Sequence, residues 1–190
     1  MKKSSLPTQA YKEFYATYLS VLDDSELMDL LILGKTNFIQ FAEGIPEEKL
    51  HSSYAIGKWT IAEVLLHIID TERVFQYRAL RFLRNDKTPL PGFDQDLFVE
   101  YSNANTRSKE SLITEYKAVR EASINLFTNL NNDDLNRTGI ASNIEWTVAT
   151  LGLVISGHQK HHQIIMANRY LQSYSNSNSS EGAVNSMVSG

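Results

Sequence analysis

Residues 57–82 read GKWTIAEVLLHIIDTERVFQYRALRF, and this stretch decides the fold. Thr60 and Glu63 form a capping box, in which a hydroxyl accepts from the third helical amide while a carboxylate reaches back to the amide of the cap. Behind it Ile61, Val64, Leu65, Ile68, Phe75, Ala79, Phe82 and Leu83 recur at the period of a helix with one apolar face. The spacing predicts a helix from Thr60 to about Arg84. Inside its apolar stripe, between Val64, Ile68, Thr71 and Val74, sits His67.

The rest of the chain follows the same pattern. Only 9 glycines and 4 prolines punctuate 190 residues, and the apolar stretches lack the alternation of strands, so an all-α four-helix bundle is expected. Its other helices fall at about 25–42, capped by Asp24 or Ser25 and stopped by Gly44 and Pro46, at 109–130 after Ser108, and from Glu145–Thr147 to Tyr170. A short extra helix is predicted over 8–20, inside an N-terminal extension of residues 1–24. Residues 85–107 carry Pro89 and the Pro91-Gly92 turn pair; they form a long loop across the bundle, with length enough for a crossover. The bundle proper spans 25–172. The Ser- and Asn-rich stretch 173–190 has too little apolar surface to recover its ordering entropy and is predicted to be a disordered tail.

Composition excludes whole classes of function. A hydrophobic content of 42% supports one core, and the cysteine count of zero removes disulfides, thiolate metal sites and cysteine nucleophiles. Any metal must be held by His, Asp or Glu. No apolar run is long enough for a signal-peptide core or a membrane span, so a cytoplasmic location without a membrane partner is expected. The net charge of −4 argues against nucleic acid. The one basic cluster, Arg78, Arg81 and Arg84, is explained by cations favoured in the last turns of a helix.

Three of the five histidines need explaining. His158 and His162, four residues apart, share one helix face with Leu151, Ile155 and Ile165, a spacing that suits two ligands of one ion. Three imidazoles on core-facing stripes are costly unless partnered, and one divalent cation satisfies them together. Hydrogen-bonded core histidines are the competing explanation. His161 points about 100° away from His162, toward solvent, and His51 has no partner in view. The pair also matches the zincin helix, except that the glutamate slot holds Gln159, which cannot serve as general base. Asp70, three residues beyond His67, is the nearest acid to orient His67 through a hydrogen bond or to act as base, with Glu72 a weaker choice for the same role. Trp59, Tyr77, Phe93 and Phe98 are read as core or loop-anchoring aromatics.

With these helices in place the chain resembles the DinB-like superfamily of four-helix proteins, through residues 57–82, TPLPGFD at 88–94 and GHQKHHQII at 157–165. The family pattern puts a metal-binding His about seven residues after a Trp-Ser/Thr helix start, matched by Trp59-Thr60 and His67, and a His-x3-His pair on the last helix, matched by His158 and His162. The resemblance implies one divalent ion per chain, zinc or nickel, on these three residues, a small-molecule substrate, and a homodimer. Its members include thiol S-transferases and isomerases that use low-molecular-weight thiols as cosubstrates, and hydrolases. Two reactions are therefore open here, attack by metal-activated water and attack by a metal-held exogenous thiol. A non-catalytic bundle stapled by its ion, or a binding protein, is the alternative.

Overall fold

The computed structural model describes residues 1–6 and 13–171 of the chain. The predicted tail at 173–190 and the start of the helix predicted over 8–20 lie outside the described residues. The helices are α1 (Glu13–Ser20), α2 (Leu27–Glu43), α3 (Ile61–Leu83), α4 (Gln95–Glu100), α5 (Lys109–Phe127), α6 (Asn132–Leu135) and α7 (Val148–Ile165), the last running on as a π-helix over Met166–Leu171. Among the described residues no helix is long and apolar enough to cross a membrane.

The capping box opens α3 as its sequence requires: the Glu63 amide donates to Thr60 Oγ1 at 3.2 Å, and the Thr60 amide donates to Glu63 Oε2 at 2.7 Å. Ser108 caps α5 and Thr147 caps α7 through their side-chain oxygens. The start of α2 departs from expectation. Glu26, not Asp24 or Ser25, occupies its N-cap position and binds the N-terminal ammonium instead of a helix amide, while Asp24 accepts from Ser4.

Side-chain pairs fix the direction of each helix. Glu72 with Arg120 and Gln76 with Ser123 make α3 and α5 parallel, whereas Phe38 with Tyr116 and Lys35 with Glu121 make α2 and α5 antiparallel. Gly34 with Gln159 and Leu27 against Gly152 make α2 and α7 parallel. The bundle therefore runs up, down, down, up, with α2 and α3 diagonal and both flanked by α5 and α7. The parallel step from α3 to α5 requires a long connection. Residues 84–108 form it, a crossover that includes the short α4, whose N-cap Asp94 accepts from the amides of Asp96 and Leu97.

The expectation of an entirely helical chain needs one correction. Between α6 and α7 a two-stranded antiparallel hairpin, β1 (Thr138–Ala141) and β2 (Ile144–Thr147), places Glu145 in a strand instead of at a helix start. Its turn residues Ser142 and Asn143 both have positive φ, 53° and 59°, as a two-residue hairpin turn of this hand demands. Gly139 lies so close to Phe82 that a Cβ there would meet the ring at 2.1 Å. The crossover loop pins this hairpin, because Leu90 exchanges backbone bonds with Ile140 and Ser142.

The apolar core is split in two. One cluster joins α1, the C-terminal half of α3, the hairpin and the first turns of α7; the other joins the far halves of α2 and α7 to the first turns of α3 and to α5. Between them lies a buried polar belt containing Glu72, Arg120, Ser123, Gln159, His67 and His158.

Candidate metal centre

His67 comes from the second turn of α3, and His158 and His162 from the second half of α7. The antiparallel packing of these helices brings all three rings together. His67 Nε2 and His162 Nε2 lie 3.0 and 3.1 Å from His158 Nε2. The three residues form a group whose ligand atoms lie within 4.8 Å of one another, and no Asp or Glu among the described residues joins it. His67 Nδ1 lies 3.4 Å from Thr71 Oγ1, one turn along α3, which leaves Nε2 as the nitrogen facing its partners.

Electrostatics keep these rings neutral. Burial pushes the pKa of His67 down to about 4. Burial, with the neighbouring imidazoles second, takes His162 down to about 3 and His158 well below its ordinary value. Three neutral imidazoles with converging nitrogens cannot all satisfy one another, since each N–H···N bond needs a protonated donor and excludes a third nitrogen. The donor set fits a divalent cation. Tetrahedral ligands at the usual Zn–N length stand ~3.3 Å apart, close to the spacing found here.

The surroundings sort the other expected residues. Asp70 turns toward Arg73, at 3.3 Å, so Thr71 and not Asp70 reaches the His67 ring. Burial raises the Asp70 pKa against the opposing effect of Arg73. Glu72 is nowhere near a base position. Its two oxygens are bound by Arg120 at 2.7 and 2.8 Å, and Ser123 donates to it as well. Gln159 faces away from the histidines; it accepts from the Tyr116 hydroxyl at 2.6 Å and donates to Gly34 O at 3.0 Å. His161 is half-buried against Tyr18, ring centroids 5.3 Å apart, instead of fully in solvent.

Two residue sets near the centre were not assigned to it from the sequence. Tyr15 and Tyr18 arrive on α1, which lies against α7 because Gly157 has no side chain; a Cβ there would meet Tyr18 O at 2.3 Å. Tyr18 packs edge-on against His158, centroids 5.1 Å apart. Arg78 is buried, and the predicted basic cluster does not exist as one, because Arg81 pairs with Asp86 and Tyr77 while Arg84 is exposed. Arg78, Tyr15, Tyr18, Thr71, Phe75, Phe93, Gln95, Ser142 and His158 line a cavity of about 230 Å³. Of the four aromatics noted in the sequence, Phe93 lines this cavity and Trp59 packs against His67 in a tilted contact, centroids 4.8 Å apart, whereas Tyr77 and Phe98 are largely exposed. A larger groove of about 390 Å³ between α2 and α7 touches none of the three histidines, so its size carries no functional weight.

Known proteins are similar to this chain in sequence and in fold. A protein of Oceanobacillus iheyensis named "Putative metal-dependent hydrolase OB0413" is 26% identical over 132 residues, covering 68% of this chain and 72% of its own length. The solved structure of YfiT from Bacillus subtilis, described as a probable metal-dependent hydrolase with an unusual four-helix bundle topology, superposes with a TM-score of 0.61 at 17% identity. It covers 86% of this chain and 92% of its own. At that identity the likeness establishes a shared fold. The sequence profile of the DinB superfamily matches residues 31–166, which include all three histidines; the chain belongs to the DinB superfamily.

Proposed function

We propose that the chain is a metal-dependent enzyme that holds one divalent ion on His67, His158 and His162 and acts on a small molecule in the adjoining cavity. The observation that carries this reading is the convergence of three neutral Nε2 atoms, two on buried histidines and one on the half-buried His162, without an acid among the described residues. A fourth protein ligand would favour a structural staple; here the cavity reaches His158 instead. An ion bound there supplies Lewis acidity and lowers the pKa of a water or thiol at its open position. The protein supplies the rest. Thr71 orients His67, Trp59 and Tyr18 exclude water from two ring faces, and the α3–α7 packing holds the three nitrogens in place before any ligand arrives.

The names of the relatives favour hydrolysis. One observation favours thiol transfer as a second reading: the absence of an acid beside the three histidines leaves no described carboxylate to accept a proton from water, whereas a low-molecular-weight thiol ionises more readily. Zinc and nickel both suit imidazole ligands. The working assignment is a soluble cytoplasmic homodimer with no nucleic-acid partner. The test is elemental analysis of protein purified without chelator or nickel resin, beside His158→Ala, followed by assays of ester hydrolysis and thiol transfer. About one zinc or nickel per chain, lost in the variant, supports the reading. Metal-free protein that stays metal-free after incubation with zinc would end it.

A further inference from the structure

The chain buries two arginines in different ways. Arg120, 0% exposed, is held by both oxygens of Glu72. Arg78, 2% exposed, has no carboxylate within ion-pair distance among the described residues; its Nη2 donates to Pro91 O at 3.1 Å and to Ser142 Oγ at 2.8 Å. Its guanidinium carbon lies 5.5 Å from the Phe75 ring centroid and 5.9 Å from that of Phe93. Nε and Nη1 make no hydrogen bond with the described residues. A carbonyl, a hydroxyl and two ring faces fix the position of this cation without neutralising it. An uncompensated buried charge is costly, and a fold that needed Arg78 only for packing would be better served by an apolar side chain.

The uncompensated charge lines the cavity that ends at His158. Thr71, which orients His67, and Phe75 and Arg78 follow one another along the same face of α3. Seven residues of helix separate Thr71 from Arg78, about 10 Å along the axis. The other polar side chains lining the cavity, Tyr15, Tyr18, Thr71, Gln95 and Ser142, are uncharged types, so a ligand with a single negative charge matches the cavity better than a multiply charged one.

We propose that Arg78 is the specificity-determining residue of the site and binds a carboxylate of the substrate, so that the enzyme acts on small organic carboxylates whose reacting group lies several bonds away, beside His158. The apolar middle of such a molecule packs on Phe75 and Phe93. This inference rests on the metal-centre reading for where reaction occurs, but the anion site stands on Arg78 alone.

The test is calorimetric titration of the zinc-loaded full chain with 3-phenylpropionate and, separately, with its uncharged amide. Wild-type protein is expected to prefer the carboxylate by about 10-fold or more, the usual worth of a charge-assisted hydrogen bond. Arg78→Met should remove that preference and keep one zinc per chain, and His162→Ala should weaken zinc binding and keep the preference. Equal binding of acid and amide by the wild type would overturn the proposal. So would a preference that survives Arg78→Met and disappears in His162→Ala, which would assign the anion to the metal. Should Arg78→Met fail to fold, Arg78→Lys decides. It keeps the charge and loses the planar edge between two rings, so the preference should fall about 3-fold or more; an unchanged preference would overturn the proposal. Absence of zinc from the wild type sinks the metal reading and leaves the acid-over-amide comparison intact on the same sample.

Discussion

Two buried polar clusters occupy the same belt of the bundle, and they are built on opposite rules. Around Glu72 every group has a complement: Arg120 supplies the opposite charge and also donates to Leu31 O on α2, Ser123 supplies a donor, and beside them Tyr116, Gln159 and Gly34 form a chain of bonds of their own. Around His158 three like groups face one another with no acid and with burial opposing their protonation. The first cluster is complete without a ligand, while the second is satisfied only by something the chain does not itself contain. Thr71 and Glu72 are neighbours in sequence yet serve different clusters, because successive helical residues point about 100° apart.

Breaking the complete cluster should have the largest effect. Arg120→Met strands the Glu72 carboxylate between α3 and α5, and a loss of about 3–5 kcal/mol in urea denaturation is expected. The folded fraction should keep its metal stoichiometry. A change below about 1 kcal/mol would show that Glu72 protonates or reaches water instead.

Breaking the incomplete cluster should leave stability nearly intact and abolish ligand binding. His67→Ala, His158→Ala and His162→Ala are each expected to lower zinc affinity by at least 10-fold in competition with a chromophoric chelator, whereas His161→Ala should not. Equal losses from all four variants would mean the coordinating shell has been drawn wrongly.

Acid sharpens the same contrast. With metal removed, the folded protein holds His67 and His162 at about 4 and 3, below the ordinary imidazole value of about 6.5. The unfolded chain therefore takes up protons first. Stability is at its full value above about pH 6.5 and falls as the pH drops from there toward 3 to 4. Melting temperatures of zinc-free protein across this range should decline, with a smaller slope in His162→Gln. A flat profile would show that protons reach the rings in the native state.

A smaller effect is expected from Gln159→Glu, which restores the zincin spacing on paper. The side chain faces Tyr116 and Gly34, so the new carboxylate gives no gain in hydrolysis; it forfeits the bond to Gly34 O at a cost of about 1–3 kcal/mol. Increased ester hydrolysis would place that residue at the site after all. Smallest of all is Asp70→Asn, for which metal content should match wild type, since Asp70 faces Arg73.

Much of this was legible in the sequence. The capping box of Thr60 and Glu63 depends on four consecutive residues, and the apolar period of α3 and α7 depends on helix geometry alone, so both survive any tertiary context. The two α7 histidines, four apart, had to share a face for the same reason. The hairpin was missed because four-residue strands are too short for a period to register, and its Ser142-Asn143 turn is a weaker signal than Asn-Gly.

Sequence by itself therefore determined the four long helices, their apolar faces and which three imidazoles are candidates to hold a metal, because these properties repeat within a turn or two of chain; the short α4 and α6 fell in stretches it read as a loop and a break. Only the tertiary structure decided that α3 and α5 run parallel, that Glu72 is closed into an ion pair with Arg120 while Gln159 bonds Tyr116 and Gly34, and that Arg78 is buried in the cavity while Arg84 lies in solvent. Those outcomes depend on which side chains from distant segments meet, as Ser142 and Pro91 meet Arg78. No local periodicity encodes such a meeting; it is set by the packing of the hairpin and the crossover loop against α3.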